Sequence, residues 1–330
     1  MPRPLLRESF GLTYRKIPVL AIGSDLYCDT SIILEALESV FPSSEGFGTL
    51  YPLDASGRSN RTLIRGFASY WTDRPFFRVT TGLIPSSVWR THFGVDRAEL
   101  IGHRLDPAKL EAKVPSNLSG LDMHLSMFEA HFAENGPGGW VFSTPKPSLA
   151  DVSLFYQLEW GNDIAKGRGI ANLTRGGTED TDGEGASSVF NEGRYPRLGD
   201  WYKRILVAIA GLPDVETRIE GSDMVAARQA IEQLNQYPKR GAEYMVKTPA
   251  GQHVELDAKT GLVVGQGLRV SIAPDDTGRD DPTIGTLVGL SPEETVIEPS
   301  KLDGEDAFVD VAVHFPRIGF VIKPLREAKL

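Results

Sequence analysis

The chain has 330 residues and a mass of 36.1 kDa, a length that fits two domains with an appendage. Hydrophobic residues make up 41% and charged residues 24%, which excludes collagen-like, wholly disordered and disulfide-scaffold chains, and no apolar run reaches the ~18 to 20 residues of a membrane helix. With 35 Lys and Arg against 44 Asp and Glu the formal charge is −9, and no dense basic run offers a stripe for nucleic acid.

The opening Met1-Pro-Arg-Pro-Leu-Leu-Arg-Glu8 lacks the apolar core of a secretory signal. The single cysteine, Cys28, can form neither an intrachain disulfide nor a thiolate zinc cage, and together these features predict a cytoplasmic protein. Tyr14 to Gly23 reads as a strand, but Pro18 within it is wrong for a central strand and requires an edge, a bulge or a cis bond, any of which leaves backbone groups free. Asp25 to Asp29 follows as a second short strand after a Gly23-Ser24 turn. Asp29 or Thr30 then caps a helix with Ile33, Leu37, Val40 and Phe41 at helical spacing, and Pro42 stops it. A unit this small lies near the lower limit for independent folding, so it must lean on another part of the chain.

Residues 42–60 read as a linker with a Leu50-Tyr-Pro52 anchor. Beyond it Leu63, Phe67, Tyr70 and Trp71 are spaced as one helical face. Leu118, Leu121, Leu125, Phe128 and Phe132 predict a helix that opens after Pro115, capped by Ser116 or Asn117, and ends at Gly136-Pro-Gly-Gly139. Ser148-Leu-Ala-Asp151 has the spacing of a capping box, with Asp where Glu or Gln is usual. Residues 161–195 lack any period and read as a long insertion or loop. Trp201, Tyr202, Ile205, Leu206 and Ile209 mark a further helix, and Ser222 to Gln236 a helical connector. From Gly241 the period becomes two, in Leu268-Val270-Ile272, Val309-Val311-Val313-Phe315 and Ile318-Phe320-Ile322, which predicts a small all-β barrel or sandwich.

Lys16-Ile-Pro-Val-Leu20, then Asp29-Thr30 opening a helix, then an all-helical region with Ser148-Leu-Ala-Asp151, resembles the cytosolic glutathione transferase family from residue 14 to about residue 215. It is similar in particular to fungal members that carry a C-terminal extension. The resemblance implies an α+β multidomain chain, with a partial thioredoxin-like glutathione-binding domain at 1–45, an all-helical transferase domain at 46–220, a connector at 221–240 and the small β module at 241–330. It implies that Ile17-Pro18 is a cis-proline motif whose free backbone pairs with the cysteinyl part of glutathione. Asp29 and Thr30 would hold the γ-glutamyl ammonium and carboxylate at a helix N-terminus, and Lys16 would meet the glycyl carboxylate. Tyr70, Trp71 and Arg74 would line a pocket for a small hydrophobic electrophile, although an aromatic stripe at helical spacing also reads as core.

In that family a strand, a helix and a further strand precede the segment that begins here, and the Tyr, Ser or Cys that activates the thiol lies in them. The resemblance therefore implies a truncated N-terminus, and no residue of this chain can be assigned as the catalytic one. The function implied is glutathione conjugation or transfer to a hydrophobic electrophile, in detoxification or fungal secondary metabolism, by a homodimer with no membrane or nucleic-acid partner. The alternative is a non-catalytic binding or scaffold protein that has lost the thiol-activating residue.

The remaining reactive residues read as structural. Cys28 fits a buried small hydrophobe better than a nucleophile, and Tyr14 lies on the wrong side of the proline motif to replace a missing hydroxyl. The six histidines are scattered, and His124 and His131 have no acid or cysteine cluster beside them, so no metal is expected. Asp180 to Gly185 resembles a calcium loop only in part, because Asn191 stands at its twelfth position. Asn60, Asn117 and Asn172 open glycosylation sequons by pattern alone.

Overall fold

The computed structural model describes residues 3–165, 190–213, 224–301 and 308–325. They fall into two compact units, one of Met1–Gly46, Leu100–Gly102 and Glu216–Leu330, the other of Phe47–Glu99 and His103–Val215.

The first unit is built on a hairpin. Val19–Ile22 (β1) and Asp25–Cys28 (β2) pair antiparallel, and Gly23 reverses the chain at φ 62°, a region open to glycine without a side-chain clash. Two strands are marginal alone. This hairpin is extended by Arg269–Pro274 (β3), Thr283–Leu290 (β4), Glu294–Pro299 (β5), Ala312–Pro316 (β6) and Phe320–Pro324 (β7) into a seven-stranded sheet of order β1-β2-β6-β5-β4-β3-β7. The junction is the parallel pair β2–β6, with Asp25, Leu26 and Tyr27 opposite Ala312, Val313 and His314; every other pairing is antiparallel.

The C-terminal strands therefore do not form the separate barrel or sandwich that their period predicts. They supply the support that the small N-terminal segment needs, and both segments share one core. Leu26 and Cys28 of β2, Val313 and Phe315 of β6, and Val270 and Ile272 of β3 pack with Phe10, Leu12 and Tyr14 on one face. On the other, Tyr27 packs with Ile32, Ile33 and Ala36 of the Thr30–Val40 helix and with Val246. Val40 and Phe41, expected on the buried face of that helix, are exposed.

The second unit is helical. Arg61–Gly66 continues into a π-helix over Phe67–Phe76 and then into Phe77–Thr81. The wider i→i+5 winding breaks the predicted face, so that Phe67 is buried while Leu63 and Tyr70 are 60% and 67% exposed. The helix expected after Pro115 instead spans Pro107–Glu134. Its cap is Asp106, whose carboxylate accepts from the Ala108 and Lys109 N–H groups at 3.0 and 3.4 Å, and Pro107 is favoured in the first turn because its missing N–H has no helical partner to lose. Leu149–Ala165 takes in the first five residues of the predicted loop, and residues 166–189 lie outside the described ones. The Pro196–Ala210 helix brings Trp201 onto Phe132, with ring centroids 5.2 Å apart.

Candidate functional site at the open end of the hairpin

Pro18 immediately precedes β1 and Asp29 immediately follows β2, so the Val19–Cys28 pairing places the two side by side at the open end of the hairpin. The Ile17–Pro18 peptide is cis, and β1 begins only after the proline, at the edge of the sheet. Proline has no N–H for a ladder, so an edge or pre-strand position is where it is tolerated. Ile17 is 68% exposed, and among the described residues no hydrogen bond involves its backbone. An extended peptide laid along this segment would find a free N–H and C=O.

Asp29 has φ 86° and ψ 137°, outside the regions that side chains favour, a strain of about 1–3 kcal/mol. It is the N-cap of the Thr30–Val40 helix: Oδ1 accepts from the Ser31 N–H at 3.0 Å and from the Ser31 hydroxyl at 2.6 Å. Oδ2 has no partner among the described residues, and neither does the exposed Thr30 hydroxyl. The site thus offers a carboxylate oxygen, a hydroxyl and first-turn N–H groups within two residues. Replacing Asp29 with alanine is expected to destabilise the first unit by about 2 kcal/mol, since the cap is lost and the positive φ remains. Glycine should cost less than half of that because it relieves the strain. Equal losses for the two variants in urea unfolding would refute this account of the position.

Lys16 is close by in sequence, but its Nζ lies 2.7 Å from Asp276 Oδ1, in the turn between β3 and β4. Burial raises the Asp276 carboxyl pKa, yet the Lys16 ammonium and the turn N–H groups outweigh this and hold it below the usual carboxylate value. Asp275-Asp-Thr-Gly278 has the composition of a turn, and only the fold brings it to Lys16, 260 residues earlier in the chain.

Tyr70, Trp71 and Arg74 belong to the other unit. Tyr70 is exposed. Trp71 points into an aromatic cluster, stacked 5.2 Å from Phe128, with its indole N–H donating to His124 Nδ1 at 3.1 Å. Burial pushes the His124 pKa down, so its neutral ring accepts this bond. For Trp71 the core reading is the one that matches its contacts. Cys28 is fully buried and its thiol pKa is raised, by burial first and by the nearby Asp29 second, which leaves it a poor nucleophile. Tyr14 is buried against Phe315 and Phe320. Among the described residues no cluster of His, Cys, Asp or Glu has the geometry to hold a metal ion, and no helix is long and apolar enough to cross a membrane.

One cluster escaped sequence reading altogether. Asp25, Glu294 and His314 are wholly buried, with His314 Nε2 3.1 Å from Asp25 Oδ1 and Nδ1 2.5 Å from Glu294 Oε1. Tyr27 stacks on the imidazole at 4.2 Å. With no exposed atom, the cluster is placed to hold the sheet rather than to meet a ligand.

Residues 80–171 match the model of a family described as a domain of unknown function, DUF7962. No curated protein matches the chain. Among solved structures, a GST-like protein from Pseudomonas syringae is 22% identical over 98% of this chain and 87% of its own, with a TM-score of 0.55. The chain has a GST-like fold, and it is the fold alone that this likeness shows.

Proposed function

We propose that the open end of the hairpin binds glutathione and that the protein conjugates or transfers it to a small hydrophobic electrophile. The reading is carried by one observation: the exposed Ile17 backbone, with no hydrogen bond among the described residues, lies beside the cap at Asp29. The Ile17 N–H and C=O pair with the cysteinyl residue as a short strand would. The Thr30 hydroxyl and first-turn N–H groups hold the γ-glutamyl carboxylate, where the helix dipole favours negative charge, and Asp29 Oδ2 accepts from its ammonium. Lys16 lies at the glycyl end, where it is already paired with Asp276. The GST-like fold of the solved neighbour supports this reading.

None of these groups activates a thiol. A second reading, a protein that binds glutathione without conjugating it, is favoured by the burial of Cys28 and Tyr14, which removes two reactive side chains near the site. Calorimetric titration with glutathione is expected to show binding that Thr30→Val weakens about threefold to tenfold, the loss of one hydrogen bond to a charged group. Turnover of a chromogenic electrophile supports conjugation. Binding without turnover supports the second reading, and no binding overturns both.

A further inference from the structure

We infer that Asp276 is a specificity-determining residue of this site: it occupies Lys16 in place of a ligand carboxylate, so that the site does not discriminate between glutathione and a γ-glutamyl-cysteinyl ligand whose glycyl carboxylate is capped as an uncharged amide. This deepens the glutathione reading and rests on it.

The Lys16–Asp276 contact is short, 2.7 Å, and its side chains are 31% and 47% exposed. Asp276 is not a free-swinging surface acid. Its turn is tied on both sides, by the Asp275 N–H to the Gly319 carbonyl at 2.9 Å and by the Gly278 N–H to the Leu100 carbonyl at 2.7 Å, with Gly278 at φ 83°. A carboxylate thus stands at a fixed place beside Lys16, the cation assigned to the glycyl end. A lysine ammonium has three donors and could accept a second oxygen, but two carboxylates around one ammonium repel each other. A glycyl carboxylate must therefore displace Asp276 or sit against it. A glycinamide in its place carries no charge and meets no such opposition.

The test is calorimetry with glutathione and with its C-terminal amide, γ-glutamylcysteinylglycinamide, on the full chain and on Asp276→Asn, each checked for folding by circular dichroism. In the wild type the two ligands are expected to bind within about twofold of each other, because Lys16 is already engaged. In Asp276→Asn, glutathione is expected to gain about threefold to fivefold while the amide is unchanged, the range for an exposed charge pair. Adding Lys16→Gln to that variant should abolish the gain. An equal gain for both ligands, or none for glutathione while the wild type binds both, would overturn the role of Asp276 and leave the glutathione site standing. Failure of either ligand to bind either protein would overturn the site itself.

Discussion

Asp151→Ala is expected to lower the stability of the helical unit by about 4 kcal/mol, near the upper end for a single substitution. The carboxylate is wholly buried, and both of its oxygens are used twice. Oδ1 accepts from the Val141 N–H and the Trp201 indole N–H, each at 2.9 Å; Oδ2 accepts from the Ser148 N–H at 2.9 Å and the Ser148 hydroxyl at 2.8 Å. One side chain thus joins the 139–148 loop, the start of the Leu149–Ala165 helix and the middle of the Pro196–Ala210 helix. Alanine would leave these donors facing no acceptor, at about 1–3 kcal/mol for each that finds no substitute. Asparagine keeps the volume and one acceptor oxygen but turns an NH2 group towards two donors, so it should fall about halfway between. All five tryptophans, Trp71, Trp89, Trp140, Trp160 and Trp201, lie in this unit, so their emission in a urea series follows it selectively. An Asp151→Ala midpoint equal to that of the wild type would refute the assignment.

That hub was legible from four letters, because a serine followed by an acid three residues on has one common geometry. What the letters could not show was that the acid also reaches Val141 and Trp201, since these partners are brought to it by packing. The same division runs through the rest of the chain. The proline oddity at Ile17-Pro18 and the helix start at Asp29-Thr30 were readable, because the missing N–H of proline and the short polar side chain of a cap act within two or three residues. The apolar face through Leu63, Phe67, Tyr70 and Trp71 was misplaced, because its reading assumed 3.6 residues per turn and the chain winds as a π-helix there. The helix start lies at Pro107 and not after Pro115, because Asp106-Pro107 supplies the cap and first-turn proline while Pro115 is accommodated inside the helix. The C-terminal strands were detected by their period, but period does not name a neighbour. Nothing in Ala312-Val-His-Phe-Pro316 states that it pairs with Asp25 to Tyr27 across the whole length of the chain. The burial of Asp25, Glu294 and His314 has no signature in the sequence for the same reason: alternation identifies two faces of a strand, and here a helix and the 240–246 segment cover the second one.

Those three residues lead to the other large expected effect: the stability of the first unit should fall as pH rises above about 6.5, and His314→Gln should abolish that fall. Both nitrogens of His314 face carboxylate oxygens. A neutral imidazole has a single N–H, so it would set a lone pair against one carboxylate, whereas an imidazolium donates to both. The remaining oxygens are satisfied as well, since Asp25 accepts from the Arg240 and Gly241 N–H groups at 3.0 and 2.6 Å and Glu294 from the Val246 N–H at 2.6 Å. Burial by itself would push His314 towards its neutral form, but the hydrogen bonds and charges of Asp25 and Glu294 outweigh it, and its pKa is raised. The folded state therefore holds one more proton than the unfolded state between about pH 6.5 and the higher folded value. Stability is full below that window and falls by about 1.4 kcal/mol per pH unit as pH rises through it. The other groups facing the imidazole do not confuse this reading: burial and the same two acids raise the Tyr27 hydroxyl pKa far above the window, and the hydroxyl donates to the Tyr244 carbonyl at 3.2 Å. Cys28 supplies the probe. As the only cysteine, fully buried in β2 one residue from Tyr27, it reacts with a maleimide only when this sheet opens, so pulsed labelling in a urea series measures opening of the first unit. His314→Gln, which leaves two buried carboxylates without their shared cation, is expected to cost about 3 kcal/mol at pH 6.5. Its opening free energy should then change little up to pH 9, while that of the wild type declines towards it. Parallel pH profiles for the two proteins, each corrected with labelling of its unfolded form, would refute the imidazolium and leave the cluster a neutral hydrogen-bond network.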